Sequence, residues 1–383
     1  MDVDAARAHR PGHGLSGVGS TVLVVNAGSS SLKLRLLDPA DEVVASADLP
    51  ADAGGFDTDA VARVIADWPR PDLVGHRVVH GGTEFSAAVR ITAEVRDRLQ
   101  ELIDLAPLHQ PKSLAGLDAV TAAVPDVPAI ACFDTAFHTT LPPAAATYAV
   151  PAEWRERWGV RRYGFHGLSH AYATRRALSL VGRPAEGTAM VTCHLGAGAS
   201  LCAVRDGRSV DTTMGFTPLE GLVMATRSGT VDPGLVLWLE EHEQLSPHEV
   251  ATALEQRSGI LALAGTADFK VVEDRCAAGD AEAQAALDVY VHRLVTSIGS
   301  MAVAAGGLDV LVFTGGVGEH SPPIRAAVAA RLGWLGVAVE DAANESASSD
   351  ADLTSGGAAV RTLVITARED LQIAQEARAV VGS

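Results

Sequence analysis

The chain has 383 residues, 48% hydrophobic and 20% charged, which is an ordinary globular composition long enough for two domains. A formal charge of -17 argues against nucleic acid and against an anionic membrane surface as partners, and leaves room for a small anion held by local Arg and Lys. Cys132, Cys193, Cys202 and Cys276 form no CxxC pair and no metal spacing, so they read as reduced residues of a cytosolic protein.

Residues 1–20 lack an apolar core and read as a disordered extension rather than a secretory signal. From residue 22 a β-branched run breaks at Asn26-Ala27-Gly28, gives Ser29, Ser30, Ser31 and Lys33, and resumes as an alternating strand through Leu36. A hairpin turn offering small residues, hydroxyls and N–H groups can cradle a phosphate, although Gly, Ser and Asn also build turns that bind nothing. Helices are predicted over 61–68, 94–105, 153–158, 169–181, 281–305 and 370–381, and strands over 73–79, 129–133, 308–313 and 363–365. A polar loop is predicted over 344–355. Residues 191–213 repeat the opening pattern of strand, glycine turn, strand, turn, strand about 170 residues after its first occurrence. This layering indicates an α/β protein of two related, facing domains.

Functional residues in such folds gather past the carboxyl ends of strands. Here those points hold Asn26, Arg77, Asp134, His194 and Gly315. Arg77 lies in an apolar stretch and requires an anionic partner, in a structural ion pair or a ligand. Asp134 would cap a helix or act in chemistry. His166 and His170 are four apart, but Gly164 and Gly167 favour a turn over a metal-binding helix face. Arg227 sits in a tight loop suited to phosphoryl contact, and 315–318 permits close approach of a flat ligand.

Taken together, NAGSSSLK, HRVVHGG, APLHQP, FDTAFH, RRYGFHGLSH, HLGAGAS, TPLEGL, TRSGTVDP, FTGGVGE and VITARED resemble the acetate kinase family in order and spacing from about residue 21 to residue 375. That family belongs to the acetate and sugar kinase, heat-shock ATPase and actin superfamily. The resemblance implies two duplicated ribonuclease-H-like α/β domains around a cleft. One would be 21–150 plus 367–383 on the acyl side, the other 151–366 on the nucleotide side. It also implies a homodimer acting on acetate, acetyl phosphate and ATP/ADP with Mg²⁺ or Mn²⁺.

By the same resemblance, Asp134 is the catalytic carboxylate. His166 and Arg227 stabilise the transferring phosphoryl group, and Arg77 meets the substrate carboxylate or phosphoryl group. Val79, Leu108, Phe165 and Pro218 wall the methyl pocket, and Asn26 and Glu369 hold the metal. Lys33, Ser29 and Ser31 meet nucleotide phosphates. His194, Leu195, Gly196, Ala197, Gly198, Asp268, Phe269, Lys270, Gly316, Val317, Gly318, Glu319 and His320 line the nucleotide. The chain departs from the family pattern on that side, with Ala197 for Asn, Thr230 for an acid, Lys270 for Arg and His320 for Asn. Three readings follow: an ATP-dependent acetate kinase; a short-chain acyl kinase using pyrophosphate or another nucleotide, or preferring propionate; and a nucleotide-responsive regulatory protein with little turnover.

Overall fold

The computed structural model describes residues 19–28, 31–51, 55–105 and 110–382. The expected extension, apart from Gly19 and Ser20, lies outside them, as do Ser29 and Leu108. The first sheet contains β1 Val22–Ala27, β2 Ser31–Leu37, β3 Val43–Pro50, β4 Leu73–Val78, β5 Val89–Arg90 and β6 Ala129–Phe133, in spatial order β3-β2-β1-β4-β6-β5. The second contains β7 Ala189–Leu195, β8 Ala199–Arg205, β9 Arg208–Thr212, β10 Val310–Thr314, β11 Ala351–Asp352 and β12 Arg361–Val364, ordered β11-β12-β10-β7-β8-β9.

From its other edge the second sheet repeats the first. In each, the opening three strands pair antiparallel, the first of them pairs parallel with the fourth, and an antiparallel two-residue strand closes the edge. The repeat seen in the sequence is therefore a duplication of topology. Central strands covered on both faces read as near-continuous apolar runs, as β1 (VLVVNA) and β10 (VLVFT) do. The edge strand β3 is largely exposed and carries polar residues instead.

The helix following each half packs across the molecule. Gly167–Val181, which follows β6, packs on β7 and β10 of the second sheet. Glu369–Gly382, which follows β12, packs on β1, β4 and β6 of the first, and the two helices touch. Gly75 makes this docking close, since a Cβ there would lie 2.6 Å from Ile373 Cγ2. Gly75→Ala should therefore destabilise the fold by about 1–3 kcal/mol, as overpacking does. An unchanged urea midpoint would show that the helix shifts freely.

Two local expectations change. The glycine run after β10 forms a short helix, Gly315–His320, rather than an open turn. The stretch expected as a loop holds the end of the helix Asp341–Ser346 and then β11. Asn344 is buried there because it clamps Arg325, whose Nε donates to Asn344 Oδ1 at 2.8 Å. Among the described residues, no helix is long and apolar enough to cross a membrane.

Candidate active site

The carboxyl ends of β1, β4 and β6 bring Asn26, Arg77 and Asp134 together. Asp134 is fixed through its backbone. Its N–H donates to Val78 O at 3.0 Å, and its carbonyl accepts from Gly167 N at 2.8 Å. Position 167 must be glycine, because a Cβ there would stand 2.2 Å from the Asp134 carbonyl oxygen. The second of these bonds ties the first sheet to the helix that packs on the second.

Arg77 spans the group. Its Nε donates to both Asp134 oxygens (3.1 and 3.2 Å), Nη2 to Asp134 Oδ2 (2.5 Å) and Nη1 to Asn26 Oδ1 (3.1 Å). Asn26 Nδ2 donates to Glu369 Oε2 at 3.2 Å, and Arg77 Nε lies 3.9 Å from the same oxygen. Burial alone would lower the Arg77 guanidinium, but Asp134 and Glu369 raise it above its usual range. Burial raises the Asp134 carboxyl, against the pull of Arg77. The three contacts from one guanidinium make this a charge-assisted ion pair. A guanidinium has five N–H groups, and three are engaged among the described residues. One remains on each Nη, enough for a planar anion.

Opposite stand His166, His194 and Arg227. His166 stands at the N-cap of the helix Gly167–Val181 with φ +56°, a left-handed conformation that costs a non-glycine residue of order 1–3 kcal/mol. The turn expected from Gly164 and Gly167 is present up to His166, and the helix begins immediately after it. The His166 and His194 rings lie 4.4 Å apart, centroid to centroid. A Cβ on Gly198 would sit 3.4 Å from His166 Nε2 and 3.5 Å from Arg227 Nη1, so both nitrogens converge beside one bare backbone. Arg227 Nη1 also donates to Pro218 O at 3.2 Å. Burial pulls His166 well below and His194 below the ordinary histidine range, and nearby Arg77 adds to both shifts. Glu369 opposes the shift of His194, and both shifts favour the neutral imidazole.

Of the expected apolar walls, Val79 and Phe165 are buried in one cluster, and Pro218 adjoins Arg227. Lys33, Asn26 and Glu369 line one cavity of about 380 Å³, together with Arg35 and Arg368. Ser31 shares the cleft-side face of β2 with Lys33. A second cavity of about 430 Å³ is lined by Gly196, Ala197, Asp268, Phe269, Lys270, Gly316, Val317 and His320.

The remaining expected nucleotide residues lie elsewhere. Leu195 is fully buried, Gly318 packs on Phe313, and Glu319 Oε1 accepts from Gly315 N and Ala367 N, both at 2.9 Å. Of the residues on the second cavity's wall, Lys270 turns its Nζ away to donate to Asp274 Oδ1 at 2.5 Å along its own helix, and its side chain is 74% exposed. His194 and Gly198 face the His166 side.

Sequence reasoning missed Ala225, Ala267, Glu273 and Ser321 on the walls of the second cavity. It also missed Arg325, which donates to the carbonyls of Gly318 (2.9 Å) and Glu319 (2.7 Å) and so secures the short helix behind that cavity.

Among the described residues, no cluster of three His, Cys, Asp or Glu side chains is placed to hold a metal ion. Asn26, Glu369 and Asp134 supply only oxygen ligands, and Glu369 Oε1 makes no hydrogen bond among the described residues. Such a set suits a hard cation that keeps several waters, as Mg²⁺ does.

A family model described as the acetokinase family matches residues 56–375. The chain is 46% identical to an acetate kinase of Microcystis aeruginosa, over 82% of this chain and 78% of that one. It is 40% identical to an acetate kinase of Natranaerobius thermophilus, over 94% and 99%. Among solved structures it resembles Porphyromonas gingivalis acetate kinase (TM-score 0.86, 35% identity, 94% and 100% covered) and a Francisella tularensis propionate kinase (TM-score 0.87, 34% identity, the same coverage).

Proposed function

The chain belongs to the acetokinase family, and on that premise we propose how its cleft works. It is an acetate kinase: it transfers the γ-phosphoryl group of ATP to acetate, reversibly, giving acetyl phosphate and ADP. The observation that carries the site assignment is the convergence of His166 Nε2 and Arg227 Nη1 beside Gly198, with the Arg77–Asp134 pair at the ends of the first sheet's strands. Phosphoryl transfer demands positioning and charge neutralisation more than covalent work by the protein.

Acetate is ionised at pH 7 and needs no base to make it a nucleophile. The two free N–H groups of Arg77 hold its carboxylate or the phosphoryl oxygens. Asp134 is engaged by Arg77 and therefore orients it, rather than attacking phosphorus. Arg227 and His166 donate to the equatorial oxygens, where charge develops. Mg²⁺, held through Asn26 and Glu369, would neutralise charge on the β- and γ-phosphates. Lys33 and Ser31, with Ser29, meet the phosphates, and the 430 Å³ cavity takes the nucleoside. Val79, Phe165 and Pro218, with Leu108, select the acyl group by size. A single methylene is worth only about 1–3 kcal/mol there, so propionate is a slower substrate.

The domain division at 21–150 plus 367–383 and 151–366 follows the helix exchange, since Glu369–Gly382 covers the first sheet. A homodimer fits the exposed Leu235, Leu237 and Trp238 on Pro233–His242, a helix with no buried residue. Four free cysteines, three of them buried, fit a reducing cytoplasm.

Ala197 lines the nucleotide cavity without a side-chain donor or acceptor. Ala197→Asn should lower the Kd for ATP several-fold, and an unchanged Kd would show the loss is compensated. The reading as a whole is tested by trapping acetyl phosphate as its hydroxamate. ATP, acetate and Mg²⁺ should give product; no product with any donor would overturn it.

A further inference from the structure

Behind His166 runs a line of buried groups that the mechanism above does not use. Ser200 Oγ on β8 lies 2.9 Å from His166 Nδ1 and 2.8 Å from His170 Nε2. His170 Nδ1 lies 2.7 Å from Thr192 Oγ1 on β7. His170, Ser200 and Thr192 are each fully buried, and among the described residues neither hydroxyl has another partner.

Counting protons fixes the direction of this line. A buried hydroxyl without an acceptor is costly, so Thr192 must donate to His170 Nδ1. A neutral His170 then carries its proton on Nε2 and donates it to Ser200 Oγ. Ser200 has one proton, which is left for His166 Nδ1. His166 accepts at Nδ1 and therefore carries its proton on Nε2, the nitrogen that faces Gly198 and Arg227. If the line were reversed, His166 would present a bare lone pair to a phosphoryl oxygen. The arrangement is echoed beside it, where Ser169 Oγ lies 2.8 Å from His194 Nδ1.

We propose that Thr192, His170 and Ser200 are positioning residues: a buried hydrogen-bond line that holds His166 as the Nε2–H tautomer, so that a neutral imidazole donates to the transferring phosphoryl group. The proposal rests on the assignment of His166 given above, and it accounts for a histidine working beside two arginines without adding a third positive charge. Orientation of an imidazole through its second nitrogen is a general device.

The test combines ¹⁵N correlation spectra of the histidine rings with kinetics of the full-length enzyme, the His166 signals being assigned by their loss in His166→Gln. In the wild type, His166 should show a protonated Nε2 and a bare Nδ1. Ser200→Ala should shift those signals toward mixed tautomers. It should also lower kcat by about 10- to 100-fold, the range typical of removing a partner that orients a functional imidazole, with KM for ATP and acetate little changed.

Thr192→Val keeps the shape, lies away from the cleft, and should act in the same direction. Thr192→Ser restores the hydroxyl and should restore both tautomer and kcat. A wild-type His166 protonated on Nδ1 would overturn the proposal, as would a tautomer and kcat unchanged in both Ser200→Ala and Thr192→Val. Failure of the underlying reading looks different: His166→Gln would keep full kcat whatever the tautomer.

Discussion

Arg227→Ala should lower kcat for acetyl phosphate formation by about 10³-fold or more, the scale on which an arginine stabilises a transferring phosphoryl group. KM for acetate and ATP should change far less, because charge on the equatorial oxygens develops mainly in the transition state. Besides the bond from Arg227 Nη1 to Pro218 O, the loop is held by its backbone. Met224 N donates to Arg227 O at 3.1 Å, Ser228 N to Leu254 O at 2.9 Å, and Gly259 admits the chain where a Cβ would stand 2.7 Å from Arg227 O. Truncation therefore removes the charge and leaves the scaffold. Arg227→Lys should fall between, since a point charge replaces a planar fork. Steady-state kinetics on the three proteins decide it, and a wild-type-like kcat in Arg227→Ala would remove Arg227 from the reaction.

The second large effect is on stability. Arg77→Met leaves the Asp134 carboxylate, 2% exposed, without its cation. Removing one partner of a buried pair costs about 3–5 kcal/mol, because the other charge stays desolvated. The pH dependence has a definite sign. Burial already raises Asp134, and losing Arg77 raises it further above its unfolded value of about 3.9. A folded pKa above the unfolded one means stability is lost as pH rises through the folded value and regained below the unfolded one. The deficit of Arg77→Met should thus be largest at neutral pH and shrink toward pH 4. Arg77→Met/Asp134→Asn should recover much of it at neutral pH, since no charge is then buried. Urea unfolding at both pH values checks this, and an equal deficit at each would mean the cost is lost packing.

The fold was legible where physical signals are local. β1 and β6 are apolar runs that give way to a polar residue, and their ends bring Asn26 and Asp134 together on Arg77. The helix Ala281–Ala304 announces itself by periodicity and by the glycines after it. Helices between 233 and 277 do not. Pro233 and Pro247 stand at helix starts, capped by Asp232 and Ser246, and the first of these helices carries an unbroken apolar run, Leu235 to Leu239, rather than a spaced stripe.

Within the candidate site, the expected residues at strand ends lie together because strand direction fixes their place. The run 316–320 was read as one lining segment, but a helical turn sends Gly316, Val317 and His320 to the cavity and Gly318 and Glu319 inward. Asn344 falls in the stretch expected as a polar loop, and nothing local signals that it and Arg325 satisfy each other in the interior. The Ser200–His170–Thr192 line was equally hidden, since its members come from two strands and a helix.

The central claim is that the cleft transfers the phosphoryl group directly, with acetate as nucleophile and Asp134 kept from attack by Arg77. The stereochemical course at phosphorus tests it most directly, using ATP made chiral at the γ-phosphoryl group with oxygen isotopes and sulfur. Net inversion in the acetyl phosphate formed is the predicted result. Net retention would require two displacements through a phosphorylated protein group and would contradict the account.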